Sequence, residues 1–314
     1  MLPSLSSIIS RLRLKHFRLL VALDDHGSLV KAAEQVALSQ PGATKALQEI
    51  EAALGAELFS RNNRGLEPTD LGRCAIRYAR LITTDMTHLR EEMAGILQGY
   101  GGRLSIGVIM GAVPMLTDML SPWLEKRSGL SVQIVEDTSA RLLRLLDEGR
   151  LDVAICRTSI SEHPELYEAV NIQEEQLAIV ANIQHPLAEA RSLQLSDLAG
   201  CRWVVYSANM PMRLLLEREF HEAGLLFPLN LFETTSAFTT LSMLQRNPSM
   251  VALLSIDVAR FCTRFGMTRI LPLDLRSRSE PYYLITRRDR TPSSNAALFL
   301  REILADRPGH EGVR

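Results

Sequence analysis

Gln40, Thr44, Lys45 and Gln48 share one short helical stretch, and each carries a group that can hydrogen-bond a base edge or a phosphate. Ser39 stands just before them where an N-cap belongs, and Pro41 falls in the first turn, where its missing N–H costs little. Beyond the stretch, Arg61 precedes Asn62-Asn63-Arg64-Gly65, a run rich in turn formers that carries Arg64. Ser39, Gln40, Pro41, Thr44, Lys45, Gln48, Arg61 and Arg64 are therefore the candidate DNA-contacting residues. Their chemistry is that of a helix laid in a major groove with an arginine-bearing hairpin on the flanking backbone.

The elements that must hold them follow from apolar spacing. Leu29, Ala32, Ala33 and Val36 recur at three and four, which predicts a first helix. Ala37-Leu38 makes the turn. Ala43, Leu47, Ile50 and Leu54 form the buried stripe of the second helix, and Gly55 ends it as a C′ glycine does. Leu58-Phe59 reads as a strand packed on the core. The same pattern also fits an ordinary helical hairpin with a solvated polar face. The first dozen residues read as a flexible arm.

From Thr69 to about Gln98 the pattern predicts one long helix, with Thr69 as cap and Asp70 at the positive end of the dipole. Leu71, Ala75, Tyr78, Ile82, Leu89, Met93 and Ile96 recur mostly at three and four, close to a coiled-coil stripe. Such a helix spans about 40 Å, more than one small domain covers, so it is read as a dimerisation helix. The glycines of Gly99-Tyr100-Gly101-Gly102 then serve as a hinge.

After Arg103 strands and helices alternate. Leu104–Ile109, Leu130–Val135 and Leu151–Cys156 read as strands separated by single helices, the second of them Ala140–Glu148, implying parallel crossovers in an α/β sheet. A second set follows at Gln176–Ala181, Arg202–Tyr206, Leu229–Thr234 and Met250–Leu254. Tyr282–Thr286 and a helix over 293–305 return to the first subdomain. The domain plan is thus an arm (1–13), a winged head (14–68), a linker helix (69–98), one α/β subdomain (103–175 with 281–305) and a second (176–280).

In such folds a ligand lies in the crevice at the carboxyl ends of the strands, against helix N-termini. That selects Met110, Gly111 and Ala112 after the first strand, Thr138 and Ser139 after the second, and Arg157 after the third. Asn182, Tyr206, Ser207 and Ser236 come from the other subdomain. Hydroxyls, helix ends and one arginine suit a small anion, with Arg157 holding a carboxylate bidentately. Helix capping is the plainer role for each hydroxyl, and a surface ion pair for Arg157.

Composition narrows the function classes. With 314 residues, 46% hydrophobic and 23% charged, the chain has ample core for two or three domains. A net charge of −1 argues against a nonspecific polycation, while local basic residues such as Arg11, Arg13, Lys15 and Arg18 remain available to the head. No apolar run reaches the roughly 20 residues of a spanning helix, and the N-terminus does not read as a signal peptide. Cys74, Cys156, Cys201 and Cys262 are far apart and without metal-ligand spacing. Cytoplasmic reduced thiols are expected, with a redox sensor as the less favoured reading. The seven histidines show no ligand or triad spacing, and there is no Gly-rich phosphate loop or GxSxG elbow, so enzyme chemistry is not expected. A pure solute-binding protein would lack the N-terminal head.

Residues 14–72 closely resemble the N-terminal domain of LysR-type transcriptional regulators. The resemblance rests on Leu14, Phe17 and Leu20-Val21-Ala22-Leu23, on Gly27-Ser28-Leu29 with Ala32-Ala33, and on Ser39-Gln40-Pro41. It continues through Ile50-Glu51, Leu54-Gly55, Leu58-Phe59 with Arg61, Pro68-Thr69 and Leu71-Gly72. Leu19 to Asp24 with Ser28-Leu29 looks like the subgroup named for regulation of a galactose-binding protein. Gly42 departs from the alanine often found there, and Thr44 from the usual serine. Gly149-Arg150-Leu151-Asp152 and His185-Pro186-Leu187-Ala188 extend the resemblance into the second half.

It implies a winged helix-turn-helix, a linker helix and two α/β subdomains of the type II periplasmic-binding-protein-like fold. It also implies that the positions of Thr138 and Arg157 touch the effector, and that Gly111, where the family often has a hydroxyl, widens the pocket. The expected partners are double-stranded DNA, a small-molecule effector, further copies of the chain as a homodimer or homotetramer, and RNA polymerase. No cofactor, metal or membrane is expected. Effector binding would rearrange the subdomains and change the bend of promoter DNA.

Overall fold

The computed structural model describes residues 2–62, 65–98, 101–208 and 210–305. Contacts divide the chain into two compact units, one of residues 1–104 with 129–131 and 144–152, the other of the remainder.

The first unit begins with α1 (Leu5–Arg11), α2 (Leu14–His26), α3 (Leu29–Gln35) and α4 (Gln40–Leu54). The hairpin β1 (Phe59–Asn62) and β2 (Gly65–Pro68) and the helix α5 (Asp70–Gln98) complete it. The predicted stripes are the ones buried: Ala32, Ala33, Ala43, Leu47 and Ile50 pack with Leu19, Leu20, Leu23, Phe59 and Ile76 in one core. Burying each large apolar side chain contributes about 1.5–3 kcal/mol. The expected arm is instead a helix. The Ser4 hydroxyl accepts from Ser7 N–H at 3.3 Å and caps α1, which packs on α4.

Thr69 caps α5 as its sequence suggests, its hydroxyl accepting from Gly72 N–H at 3.0 Å. Ile76, Ala79 and Leu81 of α5 are buried, while Leu71, Tyr78, Leu89 and Met93 are 51–55% exposed. Arg80 ties α5 to α2 through Asp24 at 2.6 Å and Asp25 at 2.5 Å, and lies 3.8 Å from Glu148.

The rest of the chain forms two five-stranded sheets with helices. In chain order come β3 (Arg103–Val108), α6 (Val113–Glu125), β4 (Ser131–Glu136), α7 (Ser139–Asp147), β5 (Val153–Cys156), β6 (Tyr167–Gln173) and β7 (Leu177–Ala181). They continue with β8 (Arg202–Val205), α8 (Pro211–Glu222), β9 (Leu231–Glu233), α9 (Ala237–Arg246), β10 (Met250–Ser255), α10 (Ile256–Arg264), β11 (Arg269–Ile270), β12 (Tyr282–Arg287) and α11 (Ser294–Ala305). The sheet orders are β4-β3-β5-β12-β6 and β11-β7-β10-β8-β9.

β3 and β5 are parallel, as are β8 with β9 and with β10. The sheets are nevertheless mixed. β12 runs antiparallel to β5 and β6, and β7 antiparallel to β10 and β11. The chain passes from the first sheet to the second at residues 174–176 and returns before β12. Two strands escaped the sequence reading: β6, an edge strand with an irregular burial pattern, and the two-residue β11. The strand expected over Leu229–Thr234 shortens to Leu231–Glu233, leaving Leu229 fully exposed.

Candidate DNA-reading surface and ligand crevice

The turn between α3 and α4 is tight because Ala37 takes a left-handed backbone conformation, φ 57°, one that costs an L-residue roughly 1–2 kcal/mol. Ser39 then caps α4, its hydroxyl accepting from Gly42 N–H at 3.2 Å. Ser39, Gln40, Pro41, Lys45 and Gln48 are exposed and Thr44 is half-buried. The Thr44 hydroxyl donates to the Gln40 carbonyl at 3.0 Å, so its lone pairs and methyl are what it can offer outward. The polar set therefore lies on one solvent-facing side of a helix whose other side is core.

The hairpin is fixed to the same framework. Glu51 of α4 accepts Leu58 N–H at 2.8 Å and Phe59 N–H at 3.4 Å. Leu66 N–H donates to the Gly27 carbonyl at 3.1 Å. Gly65, at φ 126°, comes so close that a Cβ there would lie 2.7 Å from that same oxygen. Glu51, which the sequence reading used only as part of a motif, thus orients the hairpin. Arg61 sits on β1, paired with Leu66 of β2, and Arg64 lies outside the described residues.

The crevice residues separate into two groups. Thr138 is exposed, and its hydroxyl accepts from Arg141 N–H at 3.4 Å, the geometry of a helix cap. Ser236 caps α9 through Thr239 N–H at 3.2 Å. Ser207 is half-buried, its carbonyl accepting from Met210 N–H at 2.9 Å. Asn182 is buried and donates to the Leu244 carbonyl at 2.9 Å. Ala112 is buried in the turn after β3.

Met110, Gly111, Ser139, Arg157 and Tyr206, by contrast, gather at one place. Ser139 Oγ accepts from Arg157 N–H at 3.3 Å, and Tyr206 Oη lies 3.7 Å from Met110 Sδ. Glu175 joins them: Arg157 Nη2 is ion-paired to its Oε2, and the Tyr282 hydroxyl donates to its Oε1. Arg157 Nη2 also donates to Ser279 Oγ at 3.2 Å, and its guanidinium stands 5.4 Å from the Tyr282 ring centre. Burial, then the Glu175 carboxylate, push the Tyr282 hydroxyl up, so it stays protonated and donates. Burial raises Tyr206 in the same way, with Glu175 and Glu136 adding to it and Arg157 opposing.

Two expectations change here. Arg157 is no open anion clamp, because its charge is met within the chain by Glu175. Gly111 does not widen a pocket, because the Tyr282 hydroxyl and Glu175 fill the space beside it. A Cβ at 111 would lie 2.7 Å from Glu175 Oε1 and 3.2 Å from Ser255 Cβ. Glu175, Tyr282, Ser255 and Ser279 were missed. Glu175 follows a strand that did not announce itself, so the crossing it occupies was not located. Two open grooves of about 620 and 410 Å³ are lined by other residues, the larger by α6 and α10 around Met115, Met119, Phe261 and Phe265.

All four cysteines are free. Burial pushes Cys156 up to about 12 and raises Cys201 and Cys262, which favours thiol over reactive thiolate. No group of three or more His, Cys, Asp or Glu suited to a metal ion occurs among the described residues. No helix among them is long and apolar enough to cross a membrane.

Comparison with known proteins decides the family. Residues 14–73 match the bacterial regulatory helix-turn-helix protein, lysR family, and residues 97–307 match the LysR substrate binding domain. This chain is a LysR-family protein. Its relatives include the HTH-type transcriptional regulator GbpR of Azospirillum brasilense, 31% identical over 94% of this chain and 87% of the relative. The HTH-type transcriptional regulator PcaQ of Agrobacterium fabrum is 26% identical over 93% of this chain and 94% of that one. Among solved structures, full-length CbnR complexed with its target DNA has a TM-score of 0.60 at 20% identity, covering 93% of this chain and 99% of that chain.

These relatives are named regulators, not enzymes, and the chain is accordingly a LysR-type DNA-binding transcriptional regulator with a substrate-binding domain. The fold expected from sequence, an N-terminal helix-turn-helix followed by an α/β substrate-binding region, is the fold found. Residues 1–13, and α1 with them, precede both family matches.

Proposed function

We propose that this LysR regulator reads a promoter with α4 and the β1–β2 hairpin, binds DNA as a homodimer or homotetramer joined through α5, and answers a small effector held between its two α/β subdomains. The observation that carries the DNA-reading role is the capped, solvent-facing set Ser39, Gln40, Pro41, Thr44, Lys45 and Gln48 on a helix otherwise buried in the core. The exposed stripe Leu71, Tyr78, Leu89 and Met93 supports pairing of two copies, since a two-fold dimer matches a palindromic site. DNA binding implies work in the cytoplasm, beside RNA polymerase at the promoter. The crossing at residues 174–176 is where subdomain rearrangement would be transmitted, changing the bend of bound DNA. An effector shifts that equilibrium only by its different affinity for the two states.

The test is a salt titration of the full chain on the DNA upstream of its own gene, against a scrambled duplex. Selective binding whose affinity falls with salt is expected, and Thr44→Ala should narrow the gap between the two duplexes. Equal, weak binding to both would remove the DNA-reading role of α4 at this promoter.

A further inference from the structure

Within the effector reading just proposed, and resting on it, the charge state of the crevice says what kind of molecule it takes. Arg157 is its buried cation, and the Arg157 and Glu175 side chains are only 10% and 2% exposed. Both oxygens of Glu175 are engaged, one by Arg157 and one by the Tyr282 hydroxyl. Arg157 Nη2 is shared between Glu175 and Ser279, while its Nε is buried without a hydrogen-bond partner. The cation and anion cancel, and the buried Nε–H donor remains unused.

A carboxylate arriving here meets a guanidinium that already holds a carboxylate. To bind bidentately through Nε and Nη2 it must compete with Glu175 and Ser279 for Nη2, and displacing Glu175 would strand a buried charge away from water. To bind beside it, it must sit next to a like charge at low dielectric. An uncharged molecule meets neither penalty. Its oxygen accepts from Arg157 Nε, and its hydroxyl or amide N–H reaches the carboxylate lone pairs that Arg157 and Tyr282 leave open. The other groups acting on this place, Glu136 on Tyr206 and Asp137 beside Thr138, are acidic and also disfavour an anion. We propose that the crevice selects an uncharged, hydrogen-bonding effector, because Glu175 occupies the Arg157 guanidinium as a built-in carboxylate.

The proposal predicts that removing one charge converts the site. Glu175→Gln keeps an acceptor for Tyr282 but uncovers Arg157. Full-length wild type, Glu175→Gln and the double variant Arg157→Met/Glu175→Met are titrated by calorimetry with acetate, succinate and benzoate, and with inositol, glucose and nicotinamide, at constant ionic strength. Glu175→Gln is expected to bind at least one carboxylate tenfold or more tighter than wild type, with the gain absent from the double variant. The double variant, apolar at both positions, serves also as the control for folding.

Carboxylate binding by wild type that the double variant loses would overturn the proposal while leaving the effector reading in place. No carboxylate binding by a folded Glu175→Gln would overturn it too. If the neutral probes were silent as well in every variant, the effector reading would fall with it. DNA binding by the same preparations reports separately on the regulator.

Discussion

In the proposed DNA-reading role Thr44 offers an acceptor and a methyl group, because its hydroxyl hydrogen is already held by the Gln40 carbonyl. It therefore suits a base-edge N–H₂ or a thymine methyl, and not a base acceptor. Thr44→Val keeps the methyl and loses the acceptor, so discrimination against scrambled DNA should fall by about 1 kcal/mol, on the order of one hydrogen bond, in a competition titration. Lys45→Ala should weaken both duplexes alike and reduce the salt slope by about one. In the crevice, Arg157→Met leaves Glu175 buried and unpaired, and unfolding stability should drop by about 3–5 kcal/mol. The Arg157→Met/Glu175→Met double variant should regain most of that loss in urea unfolding. A double variant as unstable as the single one would mean the damage comes from packing rather than from the stranded charge.

Among the elements, the segment after β7 carries a built-in pH dependence. His185 is 5% exposed, accepts Leu187 N–H on Nδ1 at 3.0 Å, and has its pKa lowered by burial, with a Ser249 backbone hydrogen bond opposing. His16, a buried residue of α2, is lowered as well, by burial and then Lys15, against Glu49. A histidine held neutral in the fold contributes fully above its ordinary value of 6.5, and that contribution is lost as pH falls through the lower folded value. Melting temperature should thus decline below pH 6.5, and His185→Gln should flatten part of the decline.

Element legibility followed from periodicity. Ala43, Leu47 and Ile50 mark α4, and Thr69 marks the start of α5, because each lies in a long regular pattern with a cap. β6 stayed hidden because its residues do not alternate between a buried and a solvated face, so the two-residue period is missing. α1 was hidden because seven residues give too short a period, and it is secured by packing on α4 that no local pattern reveals. Position was legible where a strand end could be located, as for Arg157. Its partner was not, since Glu175 lies 18 residues away and meets it only through the topology.

For the molecule as a whole, the near-zero formal charge of −1 means that association with DNA relies on where the basic residues sit rather than on their excess. The proposed pairing of copies is tested at the same scale. Leu89→Lys on the exposed stripe of α5 should shift sedimentation velocity toward monomer and weaken binding to a palindromic duplex more than to a half-site. Unchanged assembly would place the contact between copies elsewhere.

The contact at Gly111 sets a rule for how such a crevice changes across a lineage. A Cβ at 111 would lie 2.7 Å from a carboxylate oxygen of Glu175, so a side chain gained there requires the acid to move or be replaced. Relatives with a hydroxyl at the first position should have given up the acid at the second. Were the acid replaced first, Arg157 would lose the carboxylate that meets its charge and stand open to an external anion.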